Sequence, residues 1–321
     1  MVRTPGRITL WGIEVFVATA DERSISAAAR RLGASASSVS QQLTNLEAAV
    51  GAVLLNRNER PVTLTPAGEL FRRRAQSILN EATQARAELA MEDLAPLTRF
   101  QLGMIEDFDA AVTPRLLTEM AEELRGCQFI LETGASHRLM DQLEARALDV
   151  IVAAEMGATA EWMEVHPLLE EPFIAAVPKG FVPEGADALA VLRQLPLIQY
   201  TTRHQMGRQI AAHLVRQNLT LSHRFELDSY HAIMAMVASG QGWSILTPLG
   251  VMRAQRFQDE LDVLPLPFEP LTRRIALTAR RDVLKDIPAR VAAHLRPLLQ
   301  ELVVGPATER MPALQGRLRV L

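Results

Sequence analysis

The sequence predicts an α/β chain: an N-terminal helix-turn-helix with a wing, one long helix, and a C-terminal α/β part in two lobes. Three observations predict it. Residues 24–68 join a small-residue helix to a serine-capped one, residues 66–91 carry an apolar seam at heptad spacing, and from Phe100 short apolar runs alternate with helical stretches. At 321 residues the chain has room for two or three domains with sizeable cores.

Ile13, Phe16 and Val17 share one face of an opening helix. In Ser24-Ile-Ser-Ala-Ala-Ala-Arg-Arg-Leu32, the small side chains of Ala27, Ala28 and Ala29 let another helix approach closely. Gly33-Ala34 breaks that helix. Ser35 then offers an oxygen to cap a second one, which carries Val39, Leu43 and Leu46 inward. Such a pair is a helix-turn-helix, whose second helix can enter a DNA major groove. Residues 51–66 read as two extended pieces around a polar turn at 56–60, a wing that brings Arg57 and Arg60 to phosphates or the minor groove. Thr65 caps the next helix and Pro66 opens it. There Phe71, Ala75, Ile78, Ala82, Ala85 and Leu89 recur as a heptad seam, over roughly 37 Å of helix, which reads as a dimerising linker.

The alternation after Phe100 is β-α-β-α-β, with strands at 100–105, 128–132 and 149–154; this order implies a parallel sheet with ligand-holding loops at the carboxyl ends of its strands. A second unit starts at Phe173–Val177 and Leu197–Tyr200. The expected domains are 1–66, a linker at 67–93, and 97–302, with one lobe at about 97–168 plus 268–302 and the other at about 169–267. Residues 303–321 are expected to be a loosely packed tail.

Composition narrows the function. Residues 1–91 hold 11 basic against 8 acidic side chains and the remainder 23 against 29, as suits a DNA-contacting module joined to something else. Cys127 is the one cysteine, which excludes an intramolecular disulfide, a two-cysteine redox switch and a cysteine zinc finger; a buried apolar filler is expected there. There is no signal-peptide pattern and no run of ~18 apolar residues, so a cytoplasmic protein with no membrane role is expected. The seven histidines are scattered, no nucleophile set accompanies them, and no phosphate-cradling Gly-Lys-Ser/Thr loop is present; no enzyme, metal or cofactor is implied.

At this point the residues carry a resemblance. Ser24, Ala28, Ala29, Leu32, Val39, Ser40, Leu46, Glu47, Gly51 and the closing Leu64-Thr-Pro-Ala-Gly68 stand in the order found in LysR-type transcriptional regulators. Leu148-Asp149, 172–177 and 237–242 are similar to that family's effector domain. The resemblance covers roughly residues 8–302. It implies a periplasmic-binding-protein-like two-lobed domain, double-stranded DNA and a small-molecule effector as partners, a homodimer through the linker helix assembling into a homotetramer, and RNA polymerase as a further partner of an activator. A cytoplasmic solute-binding protein is the alternative of a different class. Two departures stand out: Ala36 occupies a position where relatives often carry Gln, and Leu54-Leu-Asn-Arg57 replaces a usual Leu-Phe before the wing arginine. An Ala can touch a thymine methyl but cannot read adenine as Gln does.

The candidate DNA contacts are Ser35, Ser37, Ser38, Gln41 and Gln42 on the outward face of the second helix, Arg30 and Arg31 as phosphate clamps or plain surface charges, Arg57, and Thr65. The strand-end loops place Glu106, Asp107, Phe108, Asp109, Ser136, His137, Tyr200, Thr201, Thr202, Arg203, Asp228, Ser229 and Tyr230 at the effector cleft. Clustered acids beside Phe108, Tyr200 and Tyr230 favour an amine-bearing or zwitterionic effector. Against this, the acids can pair with arginines such as Arg115, Arg138 or Arg203, and Ser136, Thr201, Thr202, Arg203 and Ser229 can hold an organic acid.

Overall fold

A computed structural model of the protein describes residues 7–90 and 97–321. The chain divides into two compact units, the second comprising Thr98–Leu143 and Leu148–Leu321.

The first unit begins with helices α1 (Leu10–Glu22), α2 (Ile25–Arg31) and α3 (Ala36–Val50). Each start is capped as its sequence requires: Thr9 Oγ1 accepts from Gly12 N at 3.0 Å, Ser24 Oγ from Ala27 N at 3.3 Å, and Ser35 Oγ from Ser38 N at 3.1 Å. These bonds satisfy N–H groups that have no partner within the helix. Gly33, at φ +63°, makes the turn between α2 and α3 in a conformation that only glycine adopts without strain. Strands β1 (Leu55–Asn56) and β2 (Thr63–Leu64) pair antiparallel as the wing, and α4 (Pro66–Ala90) follows. Phe16, Val39, Leu43, Leu46 and Leu54 form the core of this unit.

The heptad seam divides. Phe71 meets Phe16 edge-to-face at 5.3 Å and Ala75 is buried, so the first turns of α4 pack on their own domain. Leu70 and Ile78 stay exposed. The expected linker residues 91–93 lie outside the described residues.

The second unit has two lobes. The larger is built on β3 (Arg99–Met104), α5 (Val112–Glu123), β4 (Gln128–Thr133), α6 (Ser136–Glu144), β5 (Val150–Ala154) and β6 (Met163–Pro172). The smaller holds β7 (Ile174–Pro178), α7 (Ala188–Leu192), β8 (Leu197–Tyr200), α8 (Gln205–Arg216), β9 (His223–Leu227), α9 (Tyr230–Ala238), β10 (Ser244–Leu246), α10 (Pro248–Arg253) and β11 (Leu261–Pro265). The chain returns through β12 (Thr272–Arg280) to α11 (Ile287–Leu299), α12 (Gly305–Arg310) and β13 (Arg319–Val320).

The larger sheet runs β13-β6-β12-β5-β3-β4. Its β4-β3-β5 part is parallel as expected, but β12 is antiparallel to both β5 and β6. The reason is the path: β6 carries the chain out to the smaller lobe and β12 brings it back alongside. β6 escapes a periodicity search because Glu164, His166, Glu170 and Glu171 interrupt its apolar pattern. In the smaller lobe β10-β7-β11 form an antiparallel sheet and β8-β9 a parallel pair, joined by a bridge between Leu197 and Trp243.

Two expectations are corrected. The 303–321 tail is packed, not loose: α12 and β13 belong to the fold, and Ala307, Leu314 and Leu318 are buried. The apolar side chains of that segment are spaced among Arg, Gly and Pro, which disguises them as linker. Cys127 is half-buried at the edge of β4, not a core filler.

Gly68 shows how tightly the wing meets α4. A Cβ there would collide with the Leu54 carbonyl oxygen and stand 3.0 Å from a Leu64 methyl. Gly68→Ala is expected to push the wing off the helix and destabilise the N-terminal unit by about 2 kcal/mol, read as faster hydrogen exchange of the unit's core amides in urea.

Candidate functional site

On the outward face of α3, Ser35, Ser37, Ser38 and Gln41 are exposed and Gln42 is half-buried. Val39, Leu43 and Leu46 are buried opposite them. Gln41 lends its amide to Asn45 at 3.0 Å, which extends the polar row one turn further. Arg30 is exposed, whereas Arg31 is shared between Asp21 and Glu22, both at 3.4 Å. This face can present mixed donors and acceptors to phosphates and base edges.

Arg57 and Thr65 are held by the protein. The Arg57 guanidinium pairs with Glu47 and donates to Thr44 Oγ1 at 2.9 Å and the Ser40 carbonyl at 3.3 Å. Glu47 Oε1 also accepts from the N–H groups of Leu54 and Leu55, at 2.8 and 3.2 Å. Arg57 is therefore a brace that fixes the wing to α3, and Arg60 is the exposed arginine of the wing turn. Thr65 donates to the Val53 carbonyl at 2.7 Å and caps α4 through Gly68 N at 3.0 Å. Spacing alone places both residues near DNA; it cannot show that their polar groups are already used.

The cleft of the second unit has a volume of about 110 Å³ and lies where β3, α6, β8, α9 and β12 converge. That is room for a ligand of a few non-hydrogen atoms or a handful of waters. Of the expected residues, Glu106, Asp107, Ser136, His137, Tyr200, Asp228 and Tyr230 line it. The others do not. Phe108 is a core residue, 1% exposed. Asp109 turns to Arg253 at 3.5 Å. Thr201 and Thr202 bind Glu226, Arg203 pairs with Asp228 at 3.8 Å, and Ser229 caps α9.

Arg253 and Arg273, which sequence reasoning missed, dominate the cleft floor. Arg253 of α10 binds Glu106 at 2.8 Å. Arg273 of β12 binds Glu171 at 2.5 Å through Nε and Asp107 at 2.8 Å through Nη2. All three side chains are under 10% exposed, and Glu171 is wholly buried. Arg273 lies directly opposite Glu171 across the β6-β12 ladder. Glu170-Glu171 on one strand and Arg273-Arg274 on the other are a signal the sequence carries, but it becomes legible only once the pairing is known.

Burial works against the Arg273 charge, yet the Glu171 and Asp107 carboxylates outweigh it and raise its pKa. Burial pushes Glu171 the other way, up to about 7, with Asp107 adding to the effect against the pull of Arg273. Four rings run along the cleft, His137–His204, His204–Tyr200 and Tyr200–Tyr230, with centroids 5.7, 5.9 and 5.5 Å apart. Burial raises Tyr200 to about 12 and Tyr230 well above its ordinary value, so both stay neutral donors. Burial, then the charges of His204 and Arg208, lowers His137.

Residues 10–69 match the profile of the bacterial regulatory helix-turn-helix protein, lysR family, and residues 95–300 that of the LysR substrate binding domain. The chain belongs to the LysR family. It is a DNA-binding transcription regulator with an effector-binding domain, and the family is one of regulators, not enzymes. A "Probable hydrogen peroxide-inducible genes activator" of Mycobacterium avium is 34% identical over 63% of this chain and 65% of its own length. The "DNA-binding transcriptional dual regulator OxyR" of Escherichia coli K12 is 24% identical over 91% of this chain and 98% of its own. Among solved structures, a full-length OxyR variant of Pseudomonas aeruginosa superposes with a TM-score of 0.66 at 25% identity, covering 90% of this chain and 95% of that one. The fused lysR-family helix-turn-helix sets aside the alternative of a stand-alone solute-binding protein. Among the described residues no helix is long and apolar enough to cross a membrane.

Glu47→Ala in this LysR-family chain should leave Arg57 and two wing N–H groups without their acceptor. A loss of about 2 kcal/mol from the N-terminal unit is expected, measurable by hydrogen exchange of the Leu54 and Leu55 amides. The Glu171 shift gives a second prediction. Between pH 4.5, its ordinary value, and about 7, the unfolded chain has released this proton while the folded chain keeps it. The effector domain therefore loses stability as pH rises through this window, and the slope ends above it. Melting temperatures of wild type and Glu171→Gln across that range should differ in slope, the variant being flatter.

Proposed function

We propose that this LysR-family regulator acts in the cytoplasm and is controlled by a small amine-bearing or zwitterionic metabolite that binds its effector cleft reversibly. One observation carries the reading. Lining the cleft stand the carboxylates Glu106, Asp107, Glu155 and Asp228 against the guanidinium groups of Arg253 and Arg273. Glu106 and Asp107 are paired, with Arg253 and Arg273 where the sequence offered Arg115, Arg138 or Arg203, and the acids outnumber the guanidinium groups. An anion entering there meets net negative charge, while an ammonium gains both carboxylate oxygens and the faces of Tyr200 and Tyr230.

Hydrogen peroxide appears in the names of the relatives. A thiol route is disfavoured for this chain. Its cysteine, Cys127, does not line the cleft, and burial with the nearby Asp149 charge raises the thiol above its usual range. A reactive thiol needs the opposite shift.

The regulator is further proposed to work as a homodimer through α4, pairing into a homotetramer, and to contact RNA polymerase where it activates. Two half-sites lie about 34 Å apart on DNA, so one reading head does not suffice.

A thermal-shift screen of the full chain against amines, amino acids and organic acids tests the effector. Stabilisation by amines or zwitterions is expected; stabilisation by organic acids alone would sink the reading. For the DNA face, the genomic fragments retained by the wild-type chain provide the probe. Gln41→Ala/Gln42→Ala is expected to lose tenfold or more in affinity for them, on the order of 1–3 kcal/mol per base contact, and equal retention would count against α3 as the reader.

A further inference from the structure

Residues 301–321 lie beyond the stretch that matches the LysR substrate binding domain, which ends at 300. They nevertheless form a continuous, packed path. α11 lies on α5, β6 and β12 of the larger lobe. The chain turns through a π-helical segment, Gln300–Val304, and α12 comes to rest beside α10 of the smaller lobe. Met311 and Leu314, both buried, then line one crevice with Phe173, Ile174 and Val263 of the smaller lobe.

From there the chain returns. β13 adds antiparallel to the outer edge of β6, with Arg319 opposite Glu170 and Val320 opposite Leu169, and Leu321 N donates to the Leu168 carbonyl at 3.0 Å. Arg319 binds Glu170 at 2.8 Å. Arg296 of α11 closes the circuit, donating to the carbonyls of Leu321 at 2.7 Å and Pro167 at 3.0 Å. β6 ends at Pro172 and β7 starts at Ile174, so these anchors sit on either side of the point where the chain crosses between lobes.

We propose that residues 301–321 are a strap that holds the two lobes in one relative arrangement and so sets how readily the cleft opens. Rotation of the smaller lobe about the crossing segments 172–174 and 265–272 must either part Met311 and Leu314 from the smaller-lobe side chains that share their crevice or peel β13 from β6. Either loss weights the equilibrium toward the arrangement with the strap seated. The consequence for affinity rests on the cleft being the effector site, because a ligand that needs the other arrangement binds more weakly by the fraction of chains that adopt it. The strap's geometry does not depend on that reading.

The test reads lobe separation in the full chain without effector or DNA, so a wrong effector class leaves it intact. Spin labels go on Leu131→Cys in β4 and Val215→Cys in α8, both exposed, in a Cys127→Ser background diluted with unlabelled chain. Distances by double electron–electron resonance are compared with and without Met311→Ser/Leu314→Ser. A second variant is truncated after Gln300. The strapped chain should give one narrow distance, and each unstrapped variant a second population above about 10%. Should the truncated chain not fold, the double substitution decides. A folded variant whose 305–321 amides exchange freely, or that lacks them, while its lobe distance stays as in wild type overturns the strap.

Discussion

The effector domain is organised around one buried guanidinium. Arg273 stands where the outgoing strand β6 and the returning strand β12 lie side by side, and it holds two carboxylates of the larger lobe: Glu171 on β6 and Asp107 after β3. It reaches Thr247 at 3.4 Å, the cap of α10, while Glu171 accepts weakly from Leu249 N at 3.4 Å. The crossing strands, the cleft floor and the start of α10 thus share one charge network. Such a buried network contributes little net stability, because desolvation cancels most of the attraction, yet losing one member leaves an uncompensated charge at a cost of about 3–5 kcal/mol. Its value is geometric: it fixes three side chains of the larger lobe and, through Thr247 and Leu249, the start of α10 against them.

The same division between holding and reading organises the N-terminal unit. Glu47 collects two wing N–H groups and Arg57, and Arg57 returns to Ser40 and Thr44 of α3. The wing and the reading helix are in this way set at one angle by side chains that do not face outward. What lies on the outward face of α3 is neutral: Ser35, which caps the helix, Ser37, Ser38 and the two glutamines. Ala36, exposed at the first turn, offers only a methyl. If α3 reads DNA as proposed, a face of this composition depends on placement more than on charge, and the brace that sets its angle contributes to recognition.

Much of this was legible in the sequence where local rules decide. Caps at Ser24, Ser35 and Thr65, the Gly33 turn and the inward row Val39, Leu43 and Leu46 follow from short-range chemistry, and the structure places them as the spacing demands. What was not legible depends on pairing across the chain. Arg253 and Arg273 enter the cleft from residues far from the loops they meet, 147 and 166 positions away. β6 hides behind its charges, and the tail hides its apolar residues among Arg, Gly and Pro. Phe108 reads as an aromatic wall because it sits among acids, but the short turn 106–108 points it into the core.

Those missed partners alter the chemistry of the cleft. Free carboxylates would attract any cation strongly and without discrimination, and each would carry a large desolvation cost. Carboxylates already bound to Arg253 and Arg273 present a weaker field, so an entering ammonium has to displace or share a guanidinium to gain them. That exchange differs between arrangements of the lobes, since Arg253 lies on the smaller lobe and its acceptors Glu106 and Asp109 on the larger. A ligand bound equally in both arrangements would shift nothing. One that competes for a salt link spanning the lobes binds them unequally by construction, and unequal binding is the physical requirement for a regulator to respond.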